Sequence, residues 1–217
     1  MVVYKRNQVE EALSRVLEPR SQEPSSELRT RLKRLLETDR ALGRVPRSND
    51  PARGNYAFFS SDAQGSGVEV WFLEYEAFAL LNGLRLMEHG WPQSLAVSIM
   101  RRVRADLEKD HARILKQDPK ALFDQEAIRR NAKAGDWALD TTDPVFLTIV
   151  SKSGGAPDER GEPLACSIKR GVNNAMRWAW QVGKGVGGFA FFELATVAHA
   201  LSSQLARTEP SHRGRGT

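Results

Sequence analysis

The sequence predicts an α+β protein that is mainly α, on three observations. Apolar residues recur at three- and four-residue spacing through most of the chain up to about position 115. Two short stretches of aromatic and β-branched residues flank a run of turn-forming residues around position 60. A second pair of such stretches lies between positions 145 and 169, with helical patterns around it. With 41% hydrophobic residues, the chain has enough apolar material for one large domain or two small ones.

Taken in order, Asn7 is placed to cap a helix over 7–17, with Val9, Leu13, Val16 and Leu17 on one face and Glu10 and Glu11 in its first turn. Pro19 and Pro24 break that pattern, and Ser25 or Ser26 opens a second helix. Its apolar positions are Leu28, Leu32, Leu35, Leu36 and Leu42, and its other face is mostly Arg and Lys. Gly43 stops it, and 45–55, with Pro46 and Pro51, reads as a loop. Residues 55–59 and 68–72, joined by the turn-rich 60–67, predict a hairpin.

A helix over 74–88 follows, with Phe78, Leu81, Leu84 and Leu86 inward, ending at His89-Gly90-Trp91-Pro92. Pro92 starts the next helix, which turns Leu95, Ile99, Val103, Leu107 and Ile114 or Leu115 inward and Arg101, Arg102 and Arg104 outward. A weaker helix over 125–134 precedes a buried strand at 145–150 and its partner at 164–169. Next come a helix carrying Met176, Trp178, Ala179 and Trp180, a glycine-rich loop over 183–188, and a last helix over 191–205. The organisation expected is a DNA-facing region over 1–118, an α+β dimerisation or sensing region over 119–206, and a flexible basic tail over 207–217.

Charge narrows the class of partner. The formal net charge is +5 and the pI about 9.5. Arg29, Arg31, Lys33, Arg34, Arg40, Arg44, Arg47 and Arg53 face only Glu37, Asp39 and Asp50 between positions 28 and 53, so this one stretch equals the whole net charge. A helix with leucines on one side and these cations on the other can bury its stripe and offer guanidinium groups to phosphates or guanine edges. The order of two short helices, basic connector, hairpin and helical pair is that of a winged helix, with the hairpin as wing. Double-stranded DNA is therefore the expected partner. Lys5 and Arg6 before the first helix, and Arg213 and Arg215 in the tail, add further phosphate contacts.

No strong catalytic or metal fingerprint stands beside this. His89, His111, His199 and His212 are far apart, and none pairs with Cys166 at zinc spacing, so neither metal nor cofactor is expected. Asp110 and His111 read as charged neighbours on a solvated helix face rather than an acid–base pair. In Gly183-Lys184-Gly185-Val186-Gly187-Gly188 the lysine is followed by glycine where a phosphate loop needs Ser or Thr, so a flexible connection is expected. Cys166 reads as an inert thiol in a strand. Trp137, Trp178, Trp180, Phe146, Phe189, Phe191 and Phe192 read as core, with an apolar ligand pocket or a dimer interface as the alternative. A lone cysteine and no membrane-length apolar run point to a cytoplasmic protein.

The hairpin, then Glu74-Tyr75-Glu76-Ala77-Phe78 opening a helix, then Leu86-Met87-Glu88-His89-Gly90-Trp91-Pro92 before a further helix, resembles the second half of the winged-helix domain in MerR-type transcription regulators. The likeness of layout covers about Tyr4 to Leu115. It implies a bacterial homodimer on a promoter palindrome, with an early helix in the major groove, the hairpin on the backbone, and a small-molecule effector that it leaves unnamed. The compact first helix-turn-helix of that family and its Arg-Tyr-Glu signature are absent here. The expectation is a DNA-binding transcription regulator and not an enzyme. The alternatives are an adaptor for an acidic protein partner and an enzyme using Asp110 and His111 or the glycine loop.

Overall fold

The computed structural model describes residues 2–60, 70–132, 139–151, 165–184 and 188–210. Its elements are, in order, β1 (Val3–Lys5), α1 (Arg6–Leu17), α2 (Ser26–Ala41), α3 (Pro51–Gly54), β2 (Trp71–Leu73), α4 (Glu74–Glu88), α5 (Gln93–Ile114), α6 (Pro119–Leu122), α7 (Gln125–Asn131), β3 (Val145–Ser151), β4 (Ala165–Arg170), α8 (Val172–Gly183), β5 (Gly188–Glu193) and α9 (Ala195–Leu205). The protein is α+β and mainly helical.

Helix α4 is the centre of the molecule, buried from Tyr75 through Leu84 and again at Leu86. A helix apolar on all sides has to be surrounded, and α1, α2, α5 and α9 all pack against it. Gly83 makes that possible on one side, since a Cβ there would stand 3.0 Å from the Phe58 ring and 3.3 Å from Leu35. Leu95, Ile99, Val103, Leu107 and Ile114 of α5 point inward as their spacing predicts. One buried cluster runs from Val9 and Leu32 through Phe78 and Ile99 to Leu147 and Leu201, on both sides of position 118.

The three-stranded antiparallel sheet has the order β4-β3-β5. Its central strand is covered on both faces, Val145, Leu147 and Ile149 joining the main cluster and Phe146, Thr148 and Val150 turned to α8. Strand β4 ends one residue later than the spacing predicts, and Leu164, its expected first residue, lies outside the described residues.

Several expectations are corrected. Residues 55–59 form no strand, and β2 pairs antiparallel with β1, Tyr4 opposite Phe72, so among the described residues the expected pairing of 55–59 with 68–72 as a hairpin wing is not built; 61–69 lie outside the described residues. The aromatic run at 56–59 is instead drawn into the interior, with Ala57, Phe58 and Phe59 buried. Arg101 and Arg104 turn inward, Arg101 with 2% exposure, because buried carbonyls and a carboxylate await them there. Phe191 and Phe192 lie in β5 opposite Thr148 and Leu147, and the last helix begins at Ala195. Both Glu193 carboxylate oxygens accept from the N–H groups of Ala195 and Thr196, which fixes that start. At the other end, α1 begins at Arg6 rather than behind an Asn7 cap, and the Gln8 amide oxygen accepts the Lys5 N–H at 3.0 Å. The remainder of the expected helix over 125–134, the middle of the glycine-rich loop, Trp137 and the end of the tail lie outside the described residues. Before that point the tail is tied down, the Gln8 amide donating to the Thr208 carbonyl at 3.1 Å.

His111 is not on a solvated face. Its ring is buried, stacked 4.5 Å from Phe78 and edge-on to Tyr75 at 6.0 Å. Burial, with a contribution from nearby His199, pushes the imidazole down to about 4. The unfolded chain therefore takes up a proton near pH 6.5 that the folded chain refuses until about pH 4, so stability falls as pH drops through that window, by up to about 3 kcal/mol. Urea midpoints measured between pH 7 and pH 4.5 should fall more steeply for the native chain than for His111→Phe; parallel profiles would contradict this assignment.

Candidate nucleic-acid interface

The basic stretch is built on a buried ion pair. Leu28, Leu32, Leu35 and Leu36 seat α2 on the core, and Asp39 continues the same stripe, fully buried. Its carboxylate accepts the Nε–H of Arg101 at 2.6 Å, the N–H of Ala57 at 2.9 Å and the N–H of Phe58 at 3.0 Å. Arg101 spends its remaining donors on the carbonyls of Gly43 at 2.8 Å, Ala52 at 3.2 Å and Asp39 itself. One turn on, Arg104 donates to the carbonyls of Tyr56 and Phe59, each at 2.7 Å. Two arginines of α5 thus fasten the connector from beneath at both ends.

Above these anchors the chain reverses at Gly43, φ +59, and again at Val45-Pro46-Arg47-Ser48, where the Ser48 N–H donates to the Val45 carbonyl at 3.1 Å. Proline at the second position and a residue at positive φ at the third make this a type II turn, and the third residue is Arg47 at φ +66. Glycine takes that backbone without strain, whereas arginine is placed there at a cost. The Asp50 side chain caps α3 through the Ala52 N–H, and the Val45 N–H donates to the Arg53 carbonyl at 2.8 Å, closing the loop on itself. The Arg40 guanidinium lies 4.4 Å over the Phe59 ring and that of Arg44 5.8 Å over Tyr56.

Charge is sorted by this arrangement. All three carboxylates between positions 34 and 60 are engaged: Asp39 in the core, Asp50 on α3 and 3.9 Å from Arg102, Glu37 with Lys33 at 3.7 Å. Arg34, Arg40, Arg47 and Arg53 are exposed and pair with no carboxylate among the described residues.

The other expected contacts fall elsewhere. Arg6 and Arg29 converge on Glu10, at 2.8 and 3.8 Å, and Arg31 pairs with Glu27. Lys5 stands over the Trp71 ring at 5.2 Å on the β1–β2 ribbon. From Arg29 to Arg40 is about 16 Å along the α2 axis, so the expected residues spread along that helix and do not form one compact patch. Arg213 and Arg215 lie outside the described residues. Sequence reasoning missed Asp39, Arg101 and Arg104, which hold the site although they do not face solvent.

Nothing in the comparisons resembles this chain. Searches of protein-family models, of curated proteins and of solved structures gave no match. Among the described residues no group of three His, Cys, Asp or Glu side chains is placed to hold a metal ion, and no helix is long and apolar enough to cross a membrane.

Replacing Arg47 by glycine should relieve the positive-φ strain and raise stability by about 1 kcal/mol, read as a higher urea midpoint at unchanged slope. A midpoint that stays or falls would mean that the Arg47 side chain contributes more to the fold than its backbone costs.

Proposed function

We propose that this chain is a DNA-binding regulator that grips the phosphate backbone of duplex DNA through the connector and the exposed face of α2. The observation that carries the reading is the sorting of charge: every carboxylate of the stretch is engaged, while Arg34, Arg40, Arg47 and Arg53 remain exposed and unpaired by acid among the described residues. Planar guanidinium groups suit phosphate oxygens, and the stacking of Arg40 and Arg44 on rings reduces the freedom each would lose on contact.

Arg29, Arg31 and Lys33 belong to the same proposal as the group that reads sequence. The Lys33–Glu37 pair and the Glu27 end of the Arg31 pair are open to solvent and screened by salt, and Arg29 reaches the largely covered Glu10, already held by Arg6, only at 3.8 Å, so phosphates or base edges can replace these contacts. The proposal keeps the dimer implied by the MerR-like layout and gives the absent wing no part.

A salt series on a mixture of genomic duplex fragments tests this. The native chain should bind at low salt and lose affinity steeply as salt rises. The variant with Arg34, Arg40, Arg47 and Arg53 all changed to Ala should bind every fragment more weakly, with a log–log slope shallower by about three to four. The variant with Arg29, Arg31 and Lys33 changed to Ala should lose preference among fragments. No duplex binding at low salt, or an unchanged slope in the first variant, would return the surface to an acidic protein partner.

A further inference from the structure

The outer face of α8 has chemistry that the connector does not use. Asn173, Met176, Arg177, Trp180, Gln181 and Lys184 are exposed along it, no acidic residue occurs from 172 to 184, and Trp180 is 62% exposed. An indole so open to water forgoes burial worth a few kcal/mol, which an ordinary solvated helix face has no reason to do.

Behind Trp180 a ladder of rings runs into the sheet. Phe189 is 6.4 Å away, Phe191 6.5 Å from Phe189, and Phe146 6.3 Å from Phe191. The helix comes this close to the strand because of Gly183, where a Cβ would lie 2.6 Å from the Phe189 ring. Ala175, Ala179 and Gly183 are the buried positions of α8, so a stripe of small residues faces the sheet and leaves Trp180 outward. The indole is thereby the outer rung of a ladder of tilted and edge-on rings.

Cations flank it in sequence, Arg177 one turn before it on the helix and Lys184 at the residue that ends the helix. Arg177 precedes Trp180 by three residues and Lys184 follows by four. Lys184 sits at φ +50, and together with Arg47 it is one of two residues other than glycine at positive φ among the described residues. The carboxylate of β5, on Glu193, has both oxygens taken up by the start of α9.

We propose that this face binds single-stranded nucleic acid, a base stacking on Trp180 while Arg177 and Lys184 meet the adjoining phosphates. Alternation of ring and cation is what an unpaired strand requires, since every base has a π-face and every linkage a charge. Duplex DNA has its bases already stacked and would not engage the indole. One Trp and one Met are too narrow an apolar face for lying in a membrane, where an amphipathic helix presents a continuous stripe.

The test uses the full chain and a labelled oligothymidylate of about 20 nucleotides, titrated at low salt and followed by anisotropy. Trp180→Ala, at an exposed position that leaves the core intact, should weaken binding about tenfold or more, while Trp180→Phe should retain most of it. Neither change should alter duplex binding, and the variant with Arg34, Arg40, Arg47 and Arg53 changed to Ala should weaken duplex binding more than oligonucleotide binding, so failure of either site is seen separately. Native affinity in Trp180→Ala, or a native chain that does not bind the oligonucleotide, would overturn the proposal. Binding to anionic vesicles in place of the oligonucleotide would overturn it in favour of a lipid surface.

Discussion

Asp39 and Arg101 meet in the interior with almost no exposure, and the arrangement of the N-terminal half follows from their need for partners. Removing two charges from water costs several kcal/mol each, and their attraction offsets this only when the remaining donors and acceptors are also satisfied. Here the Asp39 carboxylate takes the amides of Ala57 and Phe58, and the Arg101 guanidinium takes the carbonyls of Gly43, Ala52 and Asp39. The pair fixes register more than it adds stability: it ties the end of α2, both ends of the connector and the middle of α5 to one point. Taking away one partner alone would strand the other as a buried charge, a loss of about 3–5 kcal/mol.

Display of the basic surface is the consequence. The loop has three arginines, Arg44, Arg47 and Arg53, and the acids nearest them are taken up elsewhere, Asp39 in the interior and Asp50 in the cap of α3. Arg104 holds the carbonyls of Tyr56 and Phe59, the two residues whose rings lie beneath Arg44 and Arg40. Strain at Arg47 belongs to the same pattern, since the turn holds its backbone at positive φ and leaves its side chain in solvent.

Much of the helical framework was legible. Helix α4 has the bounds that its apolar run and the Gly90–Pro92 stop imply, and Ser25, one of the two serines placed to open α2, caps it. Strand β3 was visible because a run of six apolar or β-branched residues after Asp143-Pro144 suits a strand covered on both faces. What was not legible depends on distant pairing. A three-residue β1 gives no periodic signal, so β2 was assigned to its sequence neighbour instead of to Val3–Lys5. The Phe191–Phe192 pair suits helix or strand equally until its alignment with Leu147 and Thr148 decides. For the candidate site, the arginines are legible from charge but their supports are not, because the helical spacing of α5 places Arg101 and Arg104 on its solvent side. A clue was present: Asp39 continues the buried spacing of Leu28, Leu32 and Leu35, and a carboxylate on such a stripe demands a cation.

The account rests on the connector being held from within, and native-state hydrogen exchange at the amides of Ala57 and Phe58 tests that most directly. Both donate to the Asp39 carboxylate. If the buried pair is the anchor, these two amides exchange only through global unfolding, as slowly as those in the middle of α4, although they lie outside any helix or strand. Exchange as fast as at exposed Asn49 would mean that the connector opens independently of the core, and would contradict the fixed display of arginines on which the functional reading depends.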